Sequence, residues 1–398
     1  MRIVKLKDIS ELKTGPFGTQ FSASEYATEG IPVINVKNIG YGNILVSGLD
    51  YISKNTLERL SEHKLQEGDI VFGRKGSVDR HCLIRKGQNG WMQGSDCIRV
   101  RFTDDAIYPE FVSYYLLTDA VKMKINNSAV GSTMASLNTD ILGDIDINLP
   151  DYEEQKRIAL ILGTIDKKIS NNNRINDYLD EMAKTIFDYW FVQYDFPDEN
   201  GKPYKSSGGE LFYNKVLKKL IPVGWTVDTI GNLLAKVPNT TKIPSAEIGK
   251  KGSIPVIDQS SNYIAGYTDD KTSILSNETG YIVFGDHTRV VKYIRFPFAR
   301  GADGTQIINS DTSAMPNEIF YQVIKSIDLS NHGYARHFKY LKATAIAIPS
   351  ANLGDVYAQK VRKWYEIQVS LVKENISLSN LRDWLLPMLM NGQATIED

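Results

Sequence analysis

The segment EEQKRIALILGTIDKKI at 153–169 places apolar side chains in alternating steps of four and three residues. That spacing is typical of the seam of a coiled coil. It continues through Asn172 and Asn176 before it returns to an apolar residue. A seam with apolar flanks and a polar middle requires a specific partner helix. Four residues of this segment and one beyond it form the first half of the predicted helix-pair interface: Ile158, Leu162, Ile165, Ile169 and Leu179.

The second half of the chain supplies a candidate partner, because it repeats the motif order of the first half. The offset between the copies falls from 223 to 212 and then to 199 residues, so the second half has shorter or different loops. The chain therefore consists of a globular unit, a long helix, a second globular unit and a second long helix. The paired motifs are IPVI at 31–34 and 254–257, IVFG at 70–73 and 282–285, and INLP at 147–150 with IAIP at 346–349.

The two long helices are predicted to lie side by side. The first, at roughly 152–192, would be about 60 Å long at 1.5 Å per residue, and the second covers roughly 355–391. The economical arrangement is an antiparallel pair with a β-rich globular unit at each end, related by a pseudo-twofold axis. The predicted fold class is therefore α+β. The second helix offers an apolar stripe at Val361, Tyr365, Val369, Val372 and Ile376.

These patterns, together with the turn-forming segment YDFPDENGKPYKSSGGELF, predict the domain boundaries. An aromatic cluster closes the first helix, and packing onto the second globular unit is favoured over base stacking as its role. The cluster consists of Phe187, Tyr189, Trp190, Phe191 and Tyr194. The predicted segments are a first globular domain at 1–150, a central spacer helix at 151–194, a connector at 195–220, a second globular domain at 221–350, and a C-terminal spacer helix and tail at 351–398.

Composition excludes several classes of protein. The 398 residues carry a net charge of −1, which argues against a uniformly basic nucleic-acid coat but allows local basic patches. The start has no signal-peptide pattern, and no 18 apolar residues run together as a membrane span would require. Cys82 and Cys97 have no zinc-ligand spacing around them and are interpreted as reduced thiols. A cytoplasmic protein is expected.

No motif for catalysis or for metal binding is recognisable. The sequence contains no P-loop, no GxGxxG opening a helix, no HExxH and no paired CxxC. The run Glu154-Gln155-Lys156 matches the end of a nuclease motif but lacks its upstream aspartate, so a solvated helix face is favoured. The histidines form no triad and are interpreted as ordinary surface or turn residues. They are His63, His81, His287, His332 and His337.

Candidate DNA contacts in the first half lie in FGRKGSVDRHCLIRKG. Basic side chains on strands and turns suit phosphate contacts, and arginine can also bind guanine with two hydrogen bonds. A solvated β-ribbon edge explains the segment equally well. Arg99 and Arg101 follow on the next predicted strand. The candidates in the segment are Arg74, Lys75, Arg80, Arg85 and Lys86.

Candidate contacts in the second half combine amides with basic side chains. Amide and arginine side chains in loops are the usual readers of base edges. Amides are also common turn formers, which is the favoured role for Asn262. The candidates are Gln259, Ser260, Asn262, Arg289, Lys292 and Arg300.

The chain resembles the specificity subunit of type I restriction–modification systems along its whole length. The most specific stretch is TIFDYWFVQYDFPDENGKPYKSSGGELFYNKVLKKLIPVGWTV at 185–227, which is similar to the central region of that family. LNTDILGDIDINLPDYEEQKRIALILGTIDKKI at 137–169 is similar to its boundary between recognition domain and helix, and TGPFGTQF at 14–21 to the opening of a recognition domain. The chain departs from the family at LPDYEEQK, where a Pro-Pro-Leu type of run is common.

The resemblance implies a non-catalytic subunit with a role in DNA methylation and phage defence. Each globular unit would be a target recognition domain that reads one half of a bipartite site in double-stranded DNA. The helices would hold the two readers roughly 34 Å apart, as in other two-fold readers. They would also dock the modification (methyltransferase) subunits, usually two. Restriction and translocase subunits would join that core, and S-adenosylmethionine, ATP and Mg would bind to the partner subunits.

Two other classes of function remain open from the sequence. One is an enzyme, either a fused restriction–methylation protein or a cryptic nuclease, and it would need a catalytic motif; a subunit of a related methylation-only or fused restriction system is the non-catalytic variant. The other is a coiled-coil scaffold that assembles proteins without reading DNA. Charge reversal of the basic segment in the first half separates the scaffold from the DNA reader, because only the reader would lose its function.

Overall fold

A computed structural model describes residues 2–129, 135–333 and 336–394 of the chain. The chain forms two compact units, Met1–Ser170 with Ile376–Asp398, and Asn171–Asn375. The last four residues of the predicted C-terminal segment 351–398 lie outside the described residues. Within the described ranges, no helix is long and apolar enough to cross a membrane.

The first unit contains short strands and helices that lead into a long helix. Its helices are α1 (Leu6–Ile9), α2 (Lys54–Arg59), α3 (Pro109–Leu116), α4 (Asp119–Ser128), α5 (Thr139–Gly143) and the first part of α6 (Tyr152–Phe187). Its strands are β1 (Arg2–Lys5), β2 (Ser10–Thr14), β3 (Tyr26–Ala27), β4 (Ile31–Ile34), β5 (Tyr41–Gly42), β6 (Asp50–Ile52), β7 (Ile70–Gly73), β8 (His81–Leu83), β9 (Met92–Gln93), β10 (Cys97–Phe102) and β11 (Asp146–Leu149).

The second unit begins with the rest of α6, which ends in a π-helical turn at Asp188–Val192. Its helices are α7 (Asn317–Ser326), α8 (His337–Ala343) and most of α9 (Ala351–Met390). Its strands are β12 (Leu211–Asn214), β13 (Lys219–Pro222), β14 (Thr226–Thr229), β15 (Ile254–Ile257), β16 (Gly266–Thr268), β17 (Ile274–Leu275), β18 (Tyr281–Gly285), β19 (Val291–Ile294), β20 (Phe298–Arg300), β21 (Thr305–Ile308) and β22 (Ala345–Ile348).

The repeated motifs form equivalent strands in the two units. Both IPVI motifs are strands, β4 and β15, and each has a parallel partner, β9 or β20. Both IVFG motifs lie in a strand, β7 or β18, that is paired antiparallel on both sides. The strand before each long helix pairs antiparallel with an early strand of its unit, β11 with β1 and β22 with β14, which follows the β12–β13 hairpin. The sequence repeat is therefore a repeat of topology.

The long helices α6 and α9 are antiparallel where they meet within each unit. In the second unit, the Asn172 side-chain nitrogen donates to Glu374 at 2.8 Å, and the Tyr357 hydroxyl donates to the Ala183 carbonyl oxygen at 2.9 Å. In the first unit, Arg382 binds Asp166 at 3.0 Å. Residue numbers rise along one helix as they fall along the other, so the prediction of an antiparallel pair is confirmed. The predicted pseudo-twofold axis stays a prediction.

The end of α6 is anchored in the aromatic core of the second unit. Phe187, Trp190, Phe191 and Tyr194 are buried in this core, whereas Tyr189 is 40% exposed. Aromatic side chains bury large areas and form edge-to-face pairs that stabilise such a core. The predicted packing role of the aromatic cluster is therefore confirmed for four of its five members.

Candidate nucleic-acid interface

The basic segment of the first unit is divided between the two ends of a β-hairpin. In the pairing of β7 with β8, Phe72 lies opposite His81 and Ile70 lies opposite Leu83. Arg74, Lys75 and Arg80 belong to the loop that joins these strands, whereas Arg85 and Lys86 follow the far end of β8. Arg85 forms an ion pair with Glu110 of α3 at 2.7 Å. The structure brings together only the first three candidates, which we call the loop-end cations.

Tyr41 lies among cations at this end of the hairpin. Its ring is 49% exposed and belongs to β5, which pairs with β8. The Arg80 guanidinium lies 5.5 Å from the ring centroid, and the Lys122 ammonium of α4 lies 4.9 Å from it. The Tyr41 hydroxyl donates to Asp79 at 3.4 Å. Sequence reasoning missed Tyr41 and Lys122, since they are distant from the basic segment; the glycines on both sides of Tyr41 were the available signal.

The loop-end cations differ in whether an acidic residue pairs with them. Lys75 forms an ion pair with Asp96 at 3.1 Å, and both side chains are half exposed. Within the described part of the chain, the side chains of Arg74 and Arg80 have no ion pair or hydrogen bond, and the Nε atom of each is buried without a partner. Buried N–H groups normally have an acceptor. The charges of these two arginines are therefore not neutralised by an acidic residue of the described ranges.

Arg99 and Arg101 do not extend this basic surface. Arg99 is buried, and it donates to the Glu62 carbonyl oxygen at 2.8 Å and to Glu11 at 3.2 Å. Arg101 binds both carboxylate oxygens of Asp69, at 2.8 and 2.6 Å. Both guanidinium groups are used within the unit, so neither arginine adds to the candidate DNA contacts of the basic segment.

The equivalent hairpin of the second unit, β18–β19, has a shorter loop. Arg289 lies in its loop with a positive φ of 62° and an exposed side chain, and it has no ion pair in the described ranges. Positive φ is uncommon for residues other than glycine and often marks a functional position. Gln259 supports this loop, because its side-chain oxygen accepts from the His287 backbone N–H at 3.1 Å and its carbonyl oxygen accepts from Thr288 at 2.6 Å.

Three further candidates in the second unit differ in exposure. The Ser260 hydroxyl donates to Asp258 at 2.6 Å, so it shapes its own turn. The Asn262 side chain is exposed. Arg300 is half-buried with an unpartnered Nε atom, and burial lowers the pKa of its guanidinium.

Lys292 was predicted to contact DNA at the surface, and this prediction is wrong. Its side chain is 5% exposed, and its ammonium donates to the backbone carbonyl oxygens of Asp258, at 2.9 Å, and Asn262. Burial lowers the pKa of Lys292 to about 8. An ammonium held inside the unit by two carbonyls is not available to a phosphate of DNA.

Three histidines also differ from prediction. His63, His81 and His337 are buried rather than on the surface. The His81 ring lies 3.0 Å from the Ser113 hydroxyl, and burial lowers the pKa of His81 to about 3. The sequence gives no sign of this burial, because histidine is common in both environments.

The residues predicted for the helix-pair interface form two kinds of contact. Ile158 and Leu162 of α6 share the first unit's core with Leu389 and Met390 of α9. Ile165 is buried, and Ile169, Leu179 and Ile376 are half-buried. Three predicted residues of α9 contact the strands of the second unit. Tyr365 packs edge-to-face on Tyr293, and Val369 and Val372 pack on an apolar cluster formed by strands of two sheets.

Comparison with known proteins agrees with this architecture. Residues 1–181 match the family model described as the type I restriction modification DNA specificity domain. The whole chain aligns with 94% of the type I restriction enzyme MjaIX specificity subunit of Methanocaldococcus jannaschii, at 26% identity over 427 residues. The HindI specificity subunit of Haemophilus influenzae is 23% identical over 168 residues, which is 40% of this chain and 36% of that protein.

Among solved structures, the type I restriction–modification S subunit from M. genitalium has a similar fold. The match has a TM-score of 0.56 at 16% identity and covers 98% of this chain and 95% of that one. The predicted resemblance is thereby confirmed, since the family model, the end-to-end relative and the fold agree. The chain is thus similar to type I restriction–modification specificity subunits along its whole length, and its first 181 residues match the DNA specificity domain of that family.

Proposed function

We propose that this protein reads a bipartite double-stranded DNA site, with one half-site bound by each unit. The observation that carries the proposal is the repeated position of arginines that form no ion pair within the described residues. Arg80 in the first unit and Arg289 in the second both belong to the loop of the hairpin that follows an IVFG strand. Both units therefore carry an arginine at the equivalent position of the fold. Such a pair suits a ligand with two negatively charged binding sites, as the two half-sites of a DNA duplex provide.

The first unit would combine phosphate and base contacts. Arg74 and Arg80 would donate to phosphate oxygens or to a guanine edge, since guanidinium suits both acceptors. Tyr41 would hold Arg80 and Lys122 in place, because a cation is attracted to the face of an aromatic ring. Leu45 and Val46 follow β5 and are 42% and 65% exposed, which suits contact with a thymine methyl group.

The second unit would depend more on polar side chains than on net charge. Arg289 and the exposed Asn262 would face the duplex, and Gln259 would hold the hairpin loop that carries Arg289. Because its loops differ from those of the first unit in length and chemistry, we expect the two half-sites to have unrelated sequences.

The long helices would dock the modification subunits through a second, exposed apolar stripe. Ile175, Tyr178 and Met182 of α6 are 43%, 56% and 47% exposed. They follow the three–four spacing of a helix face and lie beside the buried seam, and exposed apolar residues in such a stripe are typical of an interface. Two methyltransferase subunits and the restriction subunits would assemble on this core. Catalysis, with S-adenosylmethionine, ATP and Mg, would belong to those partners.

The experiment is methylated-base sequencing of the source genome with the gene intact, deleted, or replaced by charge-reversal variants. Loss of adenine methylation at one split motif on deletion, and on the double change R74E/R80E, would support the proposal. A control is K54E, which changes an 81% exposed lysine on α2 and should leave the motif methylated.

Two outcomes would contradict the proposal. If R74E/R80E kept full methylation at the motif, the loop-end cations would not bind DNA. If complexes reconstituted with the modification subunit bound all DNA sequences equally, the protein would be a scaffold rather than a reader. A motif that needs only one unit would rule out the bipartite site.

A further inference from the structure

Lys292 of β19 binds a loop that contains three of the candidates predicted from the sequence, Gln259, Ser260 and Asn262. In the pairing of β19 with β18, Lys292 is opposite Val283, inside the unit. Its ammonium donates to the carbonyl oxygens of Asp258 and Asn262, and the Asp258 carboxylate lies 3.8 Å away. One cation therefore binds both ends of the segment 258–262, which we call the amide loop.

The contacts with Lys292 use only the backbone oxygens and the carboxylate of the amide loop. Ser261 and Asn262 remain exposed, and the side chain of Gln259 reaches the neighbouring hairpin at His287. Because the loop carbonyls turn inward to the ammonium, the side chains at its tip turn to solvent. The cation fixes the backbone and leaves the recognition side chains available.

The first unit fixes the equivalent loop in another way. Cys82 is opposite Val71 there, the position that Lys292 has opposite Val283 in the second unit. The equivalent loop is 35–39, and Cys82 belongs to an apolar cluster with Ile34 and Ile39, which lie at the two ends of that loop. The same place in the fold thus accepts a small apolar side chain.

A buried ammonium group would be unfavourable if stability were its only role. Removing a charge from water costs several kcal/mol unless partners compensate, and apolar replacements of buried ion pairs are often neutral or stabilising. The apolar solution at Cys82 shows that this topology does not require a charge. A more narrowly fixed conformation of the amide loop would explain why the second unit has a buried charge at this position.

We propose that Lys292 is a positioning residue that holds the amide loop in the conformation in which the second unit reads its half-site. The proposal rests on the proposed function. Lys292 would act through the loop rather than by touching DNA. Its loss should therefore change which sequence the second unit selects, with no loss of a phosphate contact.

The test is selection of binding sites from a pool of DNA duplexes with randomised half-sites, using the full chain reconstituted with its modification subunits. K292M keeps the length of the side chain and removes its charge. We expect K292M to select the wild-type sequence in one half-site and a relaxed sequence, with at least tenfold less discrimination, in the other. The dependence of binding on salt should be unchanged. The matched control is R289M, from the same hairpin, which should reduce that salt dependence.

Hydrogen exchange provides a second measurement. Amides of the segment 258–262 should exchange faster in K292M, while those of β18 and β21 should be unchanged. If K292M unfolded the second unit, K292L would replace it and be judged by the same criteria, because leucine also removes the charge and every side-chain N–H donor.

Each contrary result has a distinct meaning. An unchanged motif in a folded K292M complex would overturn the positioning role. A weaker salt dependence with an unchanged motif would overturn it too, because Lys292 would then be a phosphate contact. If the wild-type complex selected no split motif at all, the proposed function itself would be wrong.

Discussion

The Tyr114 hydroxyl donates a hydrogen bond to the Asp166 carboxylate across 2.7 Å. The same carboxylate accepts from Arg382 at 3.0 Å, so α3, α6 and α9 meet at one acidic residue in the first unit. In the second unit, Gln322 of α7 donates to the Tyr365 hydroxyl of α9 at 3.1 Å. Asp166 and Tyr365 are separated by the same 199 positions as the motifs INLP and IAIP. Each globular unit therefore holds its long helix at an equivalent point.

The first prediction concerns this junction. We expect D166A to lower the free energy of unfolding of the first unit by about 2–3 kcal/mol, because it removes hydrogen bonds from a charged acceptor to two helices. Y114F should lower it by about 1 kcal/mol. Since the two residues are in contact, the double variant should lose less than the sum. Urea unfolding of the full chain measures these changes; strict additivity would mean that the bond contributes nothing.

The second prediction concerns the salt dependence of DNA binding. If Arg80 binds a phosphate, R80A should reduce the slope of log affinity against log salt by about 0.9. R85A should leave the slope unchanged, because Arg85 is paired with Glu110 at the other end of the hairpin. Binding titrations of the reconstituted complex over a series of salt concentrations measure both slopes. Equal reductions in R80A and R85A would show that position on the hairpin is irrelevant.

Sequence patterns predicted the parts of this fold that depend on local periodicity. The seam at 158–169 and the repeated strands were visible because apolar spacing and motif order are properties of neighbouring residues. The likeness of the two halves extends to pairing partners, since β4 and β15 both have a parallel neighbour. The topology of each unit could therefore be inferred from the position of its motifs.

The chemistry of individual charged side chains could not be predicted in the same way. Arg99 is paired with Glu11, which is 88 residues away in the chain, and Arg101 is paired with Asp69. Lys292 is enclosed by a loop that starts 34 residues before it. Whether a basic side chain is paired within the protein depends on these distant partners. A run of basic residues in the sequence carries no information about them. Tyr41 was missed for the same reason.

The third prediction concerns docking on the long helix. We expect Y178S/M182S to weaken complex formation with the modification subunit at least tenfold, because the change removes apolar area from the exposed stripe of α6. The matched control is the substitution K184S on the same helix, whose lysine pairs locally with Asp188. Size-exclusion chromatography with light scattering measures the complexes. Unchanged assembly by a folded Y178S/M182S variant would exclude this stripe as the docking surface.

The fourth prediction uses the buried His81. Its folded-state pKa of about 3 lies below the ordinary value of 6.5 because burial disfavours the charged ring. The neutral ring therefore contributes stability that is fully present above pH 6.5 and is lost as the pH falls toward 3. In this window the unfolded chain takes up a proton at this residue and the folded chain does not, which lowers stability by about 1.4 kcal/mol per pH unit.

H81Q removes this titration while it keeps a polar side chain beside Ser113. Its free energy of unfolding should lie below that of the wild type at pH 7, and the difference should shrink steadily between pH 6 and pH 4. Carboxylates that titrate in the same window affect both proteins equally, so the difference isolates His81. Denaturant unfolding at each pH measures it. Parallel pH profiles would mean that the ring takes up its proton in the folded protein and that His81 is hydrated rather than buried.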